Sequence, residues 1–271
     1  YLFENENDFL KASITNKIRE KNNVKIKNLS KNEILELEPN LAPVFFNGQL
    51  FTGSRHTTDP LAVSKKIFES FISNGGEFVK NNVENIIPNE SKIKISYKNE
   101  NLSFDKVVIS AGSWSKKLTR KFGDDFPLDT ERGYHVLFNN YELINRPLGW
   151  SQSGFYLVQL DEGLRAAGTV EIAGLSKPEN KKRTKMIENQ ARKLLPQLNE
   201  VKSTWLGFRP TMPDSLPVIG QSQKNKNIIY GFGHQHIGWT LGAVTGKVID
   251  SICNDRMPNI NIKPFSPSRF N

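Results

Sequence analysis

Apolar positions along the chain fall into short runs, each closed by Gly, Pro, Asn or Asp, and the period inside each run predicts its structure. Ser30 and Glu33 have capping-box spacing ahead of Ile34, Leu35 and Leu37, and Pro39 stops the helix they open. Residues 48–51 alternate as a strand does. Thr58 or Asp59 can cap a helix with Pro60 in its first turn, carrying Leu61, Val63, Ile67, Phe68, Phe71 and Ile72 and ending at Asn74-Gly75-Gly76. Short strands are predicted over 77–80, 93–97 and 106–110. The last is continuously apolar at its centre, as a strand buried on both faces should be, and leads through Ala111-Gly112-Ser113 to a helix near Trp114.

The middle of the chain reads differently. Residues 133–138, 154–160 and 164–171 predict antiparallel strands, the last two joined across Asp161-Glu162-Gly163, followed by a polar helix over about 179–195. From Trp205 a strand punctuated by proline and glycine follows. Residues 228–232 then form a strand feeding a glycine-bearing loop and a final helix to about Ile252. The pattern predicts an α/β chain, mixed with α+β character, in two interleaved domains that the chain visits more than once.

Composition narrows the class. With 37% hydrophobic and 24% charged residues over 271, the chain reads as soluble and globular, and no apolar run is long enough to span a bilayer. One cysteine, Cys253, excludes an internal disulfide framework and fits a reducing, cytoplasmic compartment. The net charge of +9 comes from lysines scattered among asparagines without interleaved aromatics, which favours a solvated surface over a nucleic-acid site. Peripheral attachment to the inner face of a membrane and the oligomeric state stay open. The first residue is Tyr1 rather than Met, which suggests sequence upstream.

Two segments carry candidate chemistry. In Gly207-Phe208-Arg209-Pro210-Thr211-Met212-Pro213-Asp214, the prolines fix the backbone and Pro210 forces Arg209 to be extended. An arginine so anchored suits a carboxylate in fixed geometry, while an Arg209–Asp214 pair bracing the loop explains the spacing equally well. The second segment runs from Tyr230 through Gly233-His234-Gln235-His236-Ile237-Gly238-Trp239-Thr240 into the last helix. Its glycine spacing fails as a dinucleotide fingerprint, but a strand-to-helix turn still aims free N–H groups and a positive dipole end at whatever lies before it. His234, His236 and Cys253 do not have zinc spacing, so no metal is expected.

The 207–220 and 233–242 segments, with Val-Val-Ile-Ser-Ala-Gly-Ser-Trp-Ser (107–115) and Leu-Arg-Ala-Ala-Gly-Thr-Val-Glu (164–171), together resemble the D-amino-acid oxidase and dehydrogenase family, including its glycine and sarcosine oxidases. The resemblance implies an incomplete, Rossmann-like FAD-binding domain (56–125 and 201–271) interleaved with an antiparallel-sheet substrate domain (1–55 and 126–200). It implies non-covalent FAD, with Val83, Ala111, Gly112, Gly207, Gly233, His234, Gln235, Ile237, Gly238, Trp239 and Thr240 at the cofactor. Arg209, His236, Tyr134 and His56 fall to the substrate, and no residue is assigned as a catalytic acid or base. Such enzymes move a hydride from the amine-bearing carbon of a small amino acid or secondary amine (a D-amino acid, glycine or sarcosine, or an imino acid) to flavin N5, and water hydrolyses the resulting imine. The family's Gly-x-Gly-x-x-Gly is not in this sequence, so tight FAD binding by these residues alone is not expected. Two alternatives stand beside the enzyme: a truncated, cofactor-free domain fragment without activity, and a tRNA-modifying member of the same family.

Overall fold

Four helices begin where a short polar side chain accepts a backbone N–H two or three residues on: Asn5 from Asp8, Ser30 from Glu33, Asp59 from Ala62 and Asn180 from Lys182. The capping box at Ser30 and Glu33 is formed reciprocally. The computed structural model describes residues 1–89, 91–98 and 100–270. Its elements run in the order β1 (Leu2–Phe3), α1 (Glu6–Lys21), β2 (Ile26–Ser30), α2 (Lys31–Leu37), β3 (Asn47–Phe51), α3 (Pro60–Ser73), β4 (Asn85–Pro88), β5 (Ile93–Tyr97), β6 (Glu100–Phe104) and β7 (Val107–Ile109). These are followed by α4 (Ser115–Thr119), β8 (Asp129–Phe138), β9 (Leu148–Trp150), β10 (Phe155–Leu160), β11 (Gly163–Ile172), α5 (Lys181–Leu194), β12 (Val201–Thr211), β13 (Val218–Gln221), β14 (Ile228–Phe232) and α6 (Gly238–Cys253).

The fold class is mixed α/β, as the sequence predicts. Residues 1–77, 133–170 and 178–207 form one compact unit, and 78–132, 171–177 and 208–271 form a second. Residues 56–77, read from sequence with the later segment, therefore group with the first unit. The boundaries at 132/133, 170/171 and 207/208 fall inside β8, β11 and β12.

The first unit is built on an eight-stranded sheet in the order β12-β8-β11-β10-β9-β1-β3-β2. It is not purely antiparallel, because β1 pairs parallel with β9. Alternation decides its faces. Tyr134, Val136 and Phe138 of β8, Phe155 and Leu157 of β10, and Leu164 and Ala166 of β11 are buried with Ile187, Ala191 and Leu194 of α5. Each large side chain so buried contributes about 1.5–3 kcal/mol. The intervening residues, among them His135, Tyr156, Arg165 and Trp205, lie on the other face.

In the second unit β14 is antiparallel to β13 and parallel to β7, while β4, β5 and β6 form a separate antiparallel sheet. Phe126, Tyr230 and Phe232 pack edge-to-face, and Val248 and Ile252 of α6 close over Ile219 and Ile229. The strand predicted over 77–80 is irregular backbone, and β4 forms instead at 85–88, where Ile86 can pair with Ile95. Helix α1 and strand β6 were not predicted.

Candidate functional site

Strands β7 and β14 lie side by side and parallel, with Val107 opposite Ile228 and Ile109 opposite Tyr230. The chain leaves their carboxyl ends through Ser110-Ala111-Gly112 and Gly233-His234. In open parallel sheets the crevice outside such strand ends is where ligands sit. Gly233 is held at φ +88°, and a side chain there would place Cβ 2.8 Å from Met212 Cγ. Gln235 also takes positive φ, and its N–H donates to the Pro210 carbonyl at 3.0 Å. The Ile237 N–H returns to the His234 carbonyl at 3.1 Å, and Thr211 forms a bridge with His234. The loop is thereby tied to the strand that carries Arg209. Helix α6 starts at once behind Ile237, and no side chain caps it. Its first N–H groups and the positive end of its dipole form an anion-favouring donor set beside the two strand ends. His234 Nε2 lies 2.9 Å from Thr245 Oγ1, and burial lowers its pKa, so the ring is neutral at neutral pH.

Arg209 follows a heavily braced residue. The Ser113 hydroxyl donates to the Phe208 carbonyl at 3.0 Å, and the Trp114 ring meets the Phe208 ring edge-on at 5.5 Å. The Arg132 guanidinium stands 5.8 Å from the same ring's centre. Arg132 is fully buried, as is Glu171 nearly so, and the two pair with Nε 3.4 Å from Oε2. With Phe208 fixed on one side and Pro210 on the other, the Arg209 backbone has little freedom. Burial lowers the Arg209 pKa and Glu131 opposes this. His236 Nε2 lies 3.9 Å from Glu131 Oε2, and its pKa is lowered by burial and then by the Arg209 charge, against Glu131. A guanidinium, a carboxylate and a largely neutral imidazole thus share one patch. The Asp214 carboxylate, the alternative partner for Arg209, accepts from Arg269 Nε at 2.7 Å and from the Leu216 N–H at 3.1 Å.

The sequence candidates separate accordingly. Ala111, Gly112 and the residues from Gly233 to Thr240 gather in the second unit around the β7 and β14 ends, with Arg209 and His236. Val83 belongs to the same unit and packs against its core. Three candidates lie in the first unit. Tyr134 is only 1% exposed, and its hydroxyl accepts the Asn180 N–H at 3.1 Å. This corrects the expectation of a pocket wall, because β8 alternation turns Tyr134 into the core. His56 is exposed and lines a cavity of about 880 Å3 with Arg19, Arg55 and Tyr156. Gly207 is buried under the Trp205 indole, with which an added Cβ would collide. Glu131, Arg132 and Glu171 were missed. A single charged residue in a strand gives no periodic signal, and only the adjacency of β8 and β11 in the sheet pairs Arg132 with Glu171.

The sequence profile of the family described as DAO, FAD dependent oxidoreductase, matches residues 1–251. A D-amino-acid oxidase of Bradyrhizobium diazoefficiens is 34% identical over 262 residues, covering 94% of this chain and 62% of the relative. A D-amino acid dehydrogenase of Vibrio vulnificus is 28% identical over 242 residues, 86% of this chain and 58% of the relative. The chain therefore spans about three-fifths of the length of these relatives. Glycine oxidase from Geobacillus kaustophilus superposes with a TM-score of 0.90 at 21% identity, covering 99% of this chain and 73% of that one. L-Proline dehydrogenase from P. horikoshii superposes with a TM-score of 0.84 at 18% identity, covering 99% and 75%. At these identities the structures establish a shared fold.

Proposed function

The chain belongs to the DAO family of FAD-dependent oxidoreductases, and from that premise we propose that it forms the larger part of an enzyme oxidising a D-amino acid at the carbon that bears nitrogen. The observation that carries this reading is the pair of parallel strand ends, β7 and β14, beside the uncapped start of α6. The fit to a flavin rests on the donor set. Backbone N–H groups and a helix dipole suit an electron-rich ring system, and Gly112, with open space where a Cβ would stand, admits close approach. FAD, when bound, supplies the hydride acceptor. Ala111, Gly112, Gly233 and the loop from His234 to Thr240 would hold it.

The chain's own residues then position the substrate. Arg209, braced by Phe208 and Pro210, meets the substrate carboxylate with two parallel donors. His236, held largely neutral, offers a hydrogen bond without adding charge beside the amine, which must lose its proton before hydride leaves. Most of the rate gain expected of such a site comes from orientation rather than from an acid–base pair. The named D-amino-acid oxidase and dehydrogenase relatives support the choice of D-amino acids. The direct test is anaerobic mixing of the FAD-loaded protein with D-amino acids, their L-enantiomers, sarcosine and a cyclic imino acid. Loss of the oxidised-flavin absorbance with D-amino acids is expected. Retention of that absorbance with every amine, while flavin is bound, refutes the proposal.

A further inference from the structure

Glu131 shares the patch with Arg209 and His236, yet neither the cofactor nor the substrate carboxylate needs it. It lies on β8 between Thr130 and Arg132, both buried, so alternation turns its side chain to the opposite face. Arg132 is itself held by Glu171, which leaves the strand little freedom to re-aim its neighbour. The Glu131 side chain is 25% exposed. Among the described residues its carboxylate accepts no hydrogen bond, and its one neighbour in ion-pair range is the His236 imidazole, with Nε2 3.9 Å from Oε2. That separation is too long for a hydrogen bond. A carboxylate largely removed from water with its acceptor sites unfilled carries a desolvation cost, which an incoming N–H donor offsets, a cationic one most of all.

The neighbouring groups define which donor fits. If Glu131 served to hold an imidazolium, His236 would take up a proton more readily than an ordinary histidine. Burial first and the Arg209 charge next lower its pKa instead, so the ring is largely neutral and does not neutralise the carboxylate. Arg209 and Glu131 act on each other across the patch, since Glu131 opposes the burial that lowers the Arg209 pKa. The charges bearing on His236 are thus one cation and one anion, and all three residues belong to the second unit. A lone carboxylate drawn to Arg209 meets repulsion from Glu131, and a lone ammonium drawn to Glu131 meets repulsion from Arg209. A zwitterion meets attraction at both ends.

We propose that Glu131 binds the substrate ammonium while Arg209 binds the carboxylate, so that the site selects α-amino acids with a free amine over simple carboxylic acids and simple amines. The proposal rests on the amine-oxidation reading, and its test separates the two. The FAD-loaded protein is titrated calorimetrically with three probes that lack a hydrogen on the reacting carbon: 2-aminoisobutyrate, pivalate and tert-butylamine. They share a quaternary carbon and differ in whether it bears both charged groups, the carboxylate alone or the ammonium alone. Binding of each, and kcat/KM for flavin reduction by D-alanine, are compared in the wild type, Glu131→Gln and Glu131→Asp.

The wild type is expected to bind 2-aminoisobutyrate about tenfold or more tightly than either half-probe, the scale of one charge-assisted contact. Glu131→Gln should weaken 2-aminoisobutyrate about tenfold and lower kcat/KM for D-alanine about tenfold. Pivalate should bind that variant as well as before or better, because the repelling charge is gone. Glu131→Asp should keep part of the preference, and it serves alone if the Gln variant does not fold. Equal weakening of 2-aminoisobutyrate and pivalate is the mark of a structural role and overturns the proposal, as does an unchanged preference in Glu131→Gln. If no amine reduces the flavin, the amine-oxidation reading fails, while a preference for 2-aminoisobutyrate lost in Glu131→Gln still upholds the zwitterion site. Absence of that preference in the wild type refutes it.

Discussion

The two compact units present different parts of the chain to their surroundings. In the second unit the cradle proposed for the flavin at the β7 and β14 ends, beside the Arg209 and His236 side chains, is made of backbone: positive-φ Gly233 and Gln235, and an uncapped helix start. On the first unit's sheet the face away from the core is made of side chains, with Arg165, His135 and Trp205 projecting from regular strands. A backbone cradle depends on loop conformation, and most side-chain changes outside the substrate-facing Arg209 and His236 spare it. A side-chain face depends on residue identity, and its strands persist when those residues are replaced. Perturbing the two regions should therefore have separable effects on stability and binding.

The largest effect is expected where the backbone site is braced. Arg132→Met takes from buried Glu171 its buried cation, leaving Lys177 Nζ 3.9 Å away, and a loss of up to about 3–5 kcal/mol in folding stability should appear in denaturant titration. Adding Glu171→Leu should restore much of it, because an apolar pair of similar volume replaces two buried ions. Gly233→Val attacks the loop itself. Positive φ combined with contact against Met212 should cost about 1–3 kcal/mol and weaken flavin binding in an equilibrium titration. Wild-type flavin affinity in this variant would mean that the loop does not set the cofactor site.

The side-chain face should show itself through pH. Burial, and after it the Arg165 charge, hold His135 at about 4 in the folded chain, below its ordinary value near 6.5, so the unfolded chain takes up its proton first. Its contribution is fully present above pH ~6.5, falls on acidification by at most about 1.4 kcal/mol per pH unit, and is exhausted below pH 4. His135→Phe should flatten that segment of the stability profile, and an unchanged profile would place the ring in a more solvated setting. The smallest effect is expected at Tyr134. Replacing it by Phe leaves packing intact and removes one acceptor for the Asn180 N–H, a cost of about 1 kcal/mol with no change in substrate preference. A changed preference would return Tyr134 to the pocket.

Much of the backbone region was legible in the sequence, because glycine and proline mark conformation directly. Pro210 beside Arg209, Gly233 after an apolar strand, and Asp59-Pro60 each specify a local geometry that the fold adopts. The side-chain regions were less legible. Alternation along β8 assigns Tyr134 and His135 to opposite faces, yet only the packing of α5 shows which face is the core. Helix α1 was overlooked because Leu10, Ile14 and Ile18, spaced four apart, are embedded in a polar run, and all three are exposed in this structure. The Arg132–Glu171 pair joins residues far apart in sequence, and sheet order alone brings them together.

Arg209 is the proposed partner of the substrate carboxylate, and one comparison tests that role most directly. Flavin reduction by a D-amino acid and by its α-amide is measured in the wild type and in Arg209→Lys. Lysine keeps the charge but lacks the paired donors, so efficiency on the acid should fall by about 2–4 kcal/mol of transition-state binding. The wild-type preference for acid over amide should shrink with it, while the melting temperature stays nearly constant. An unaltered acid-over-amide ratio accompanied by a large drop in melting temperature would contradict the assignment and make Arg209 a structural brace.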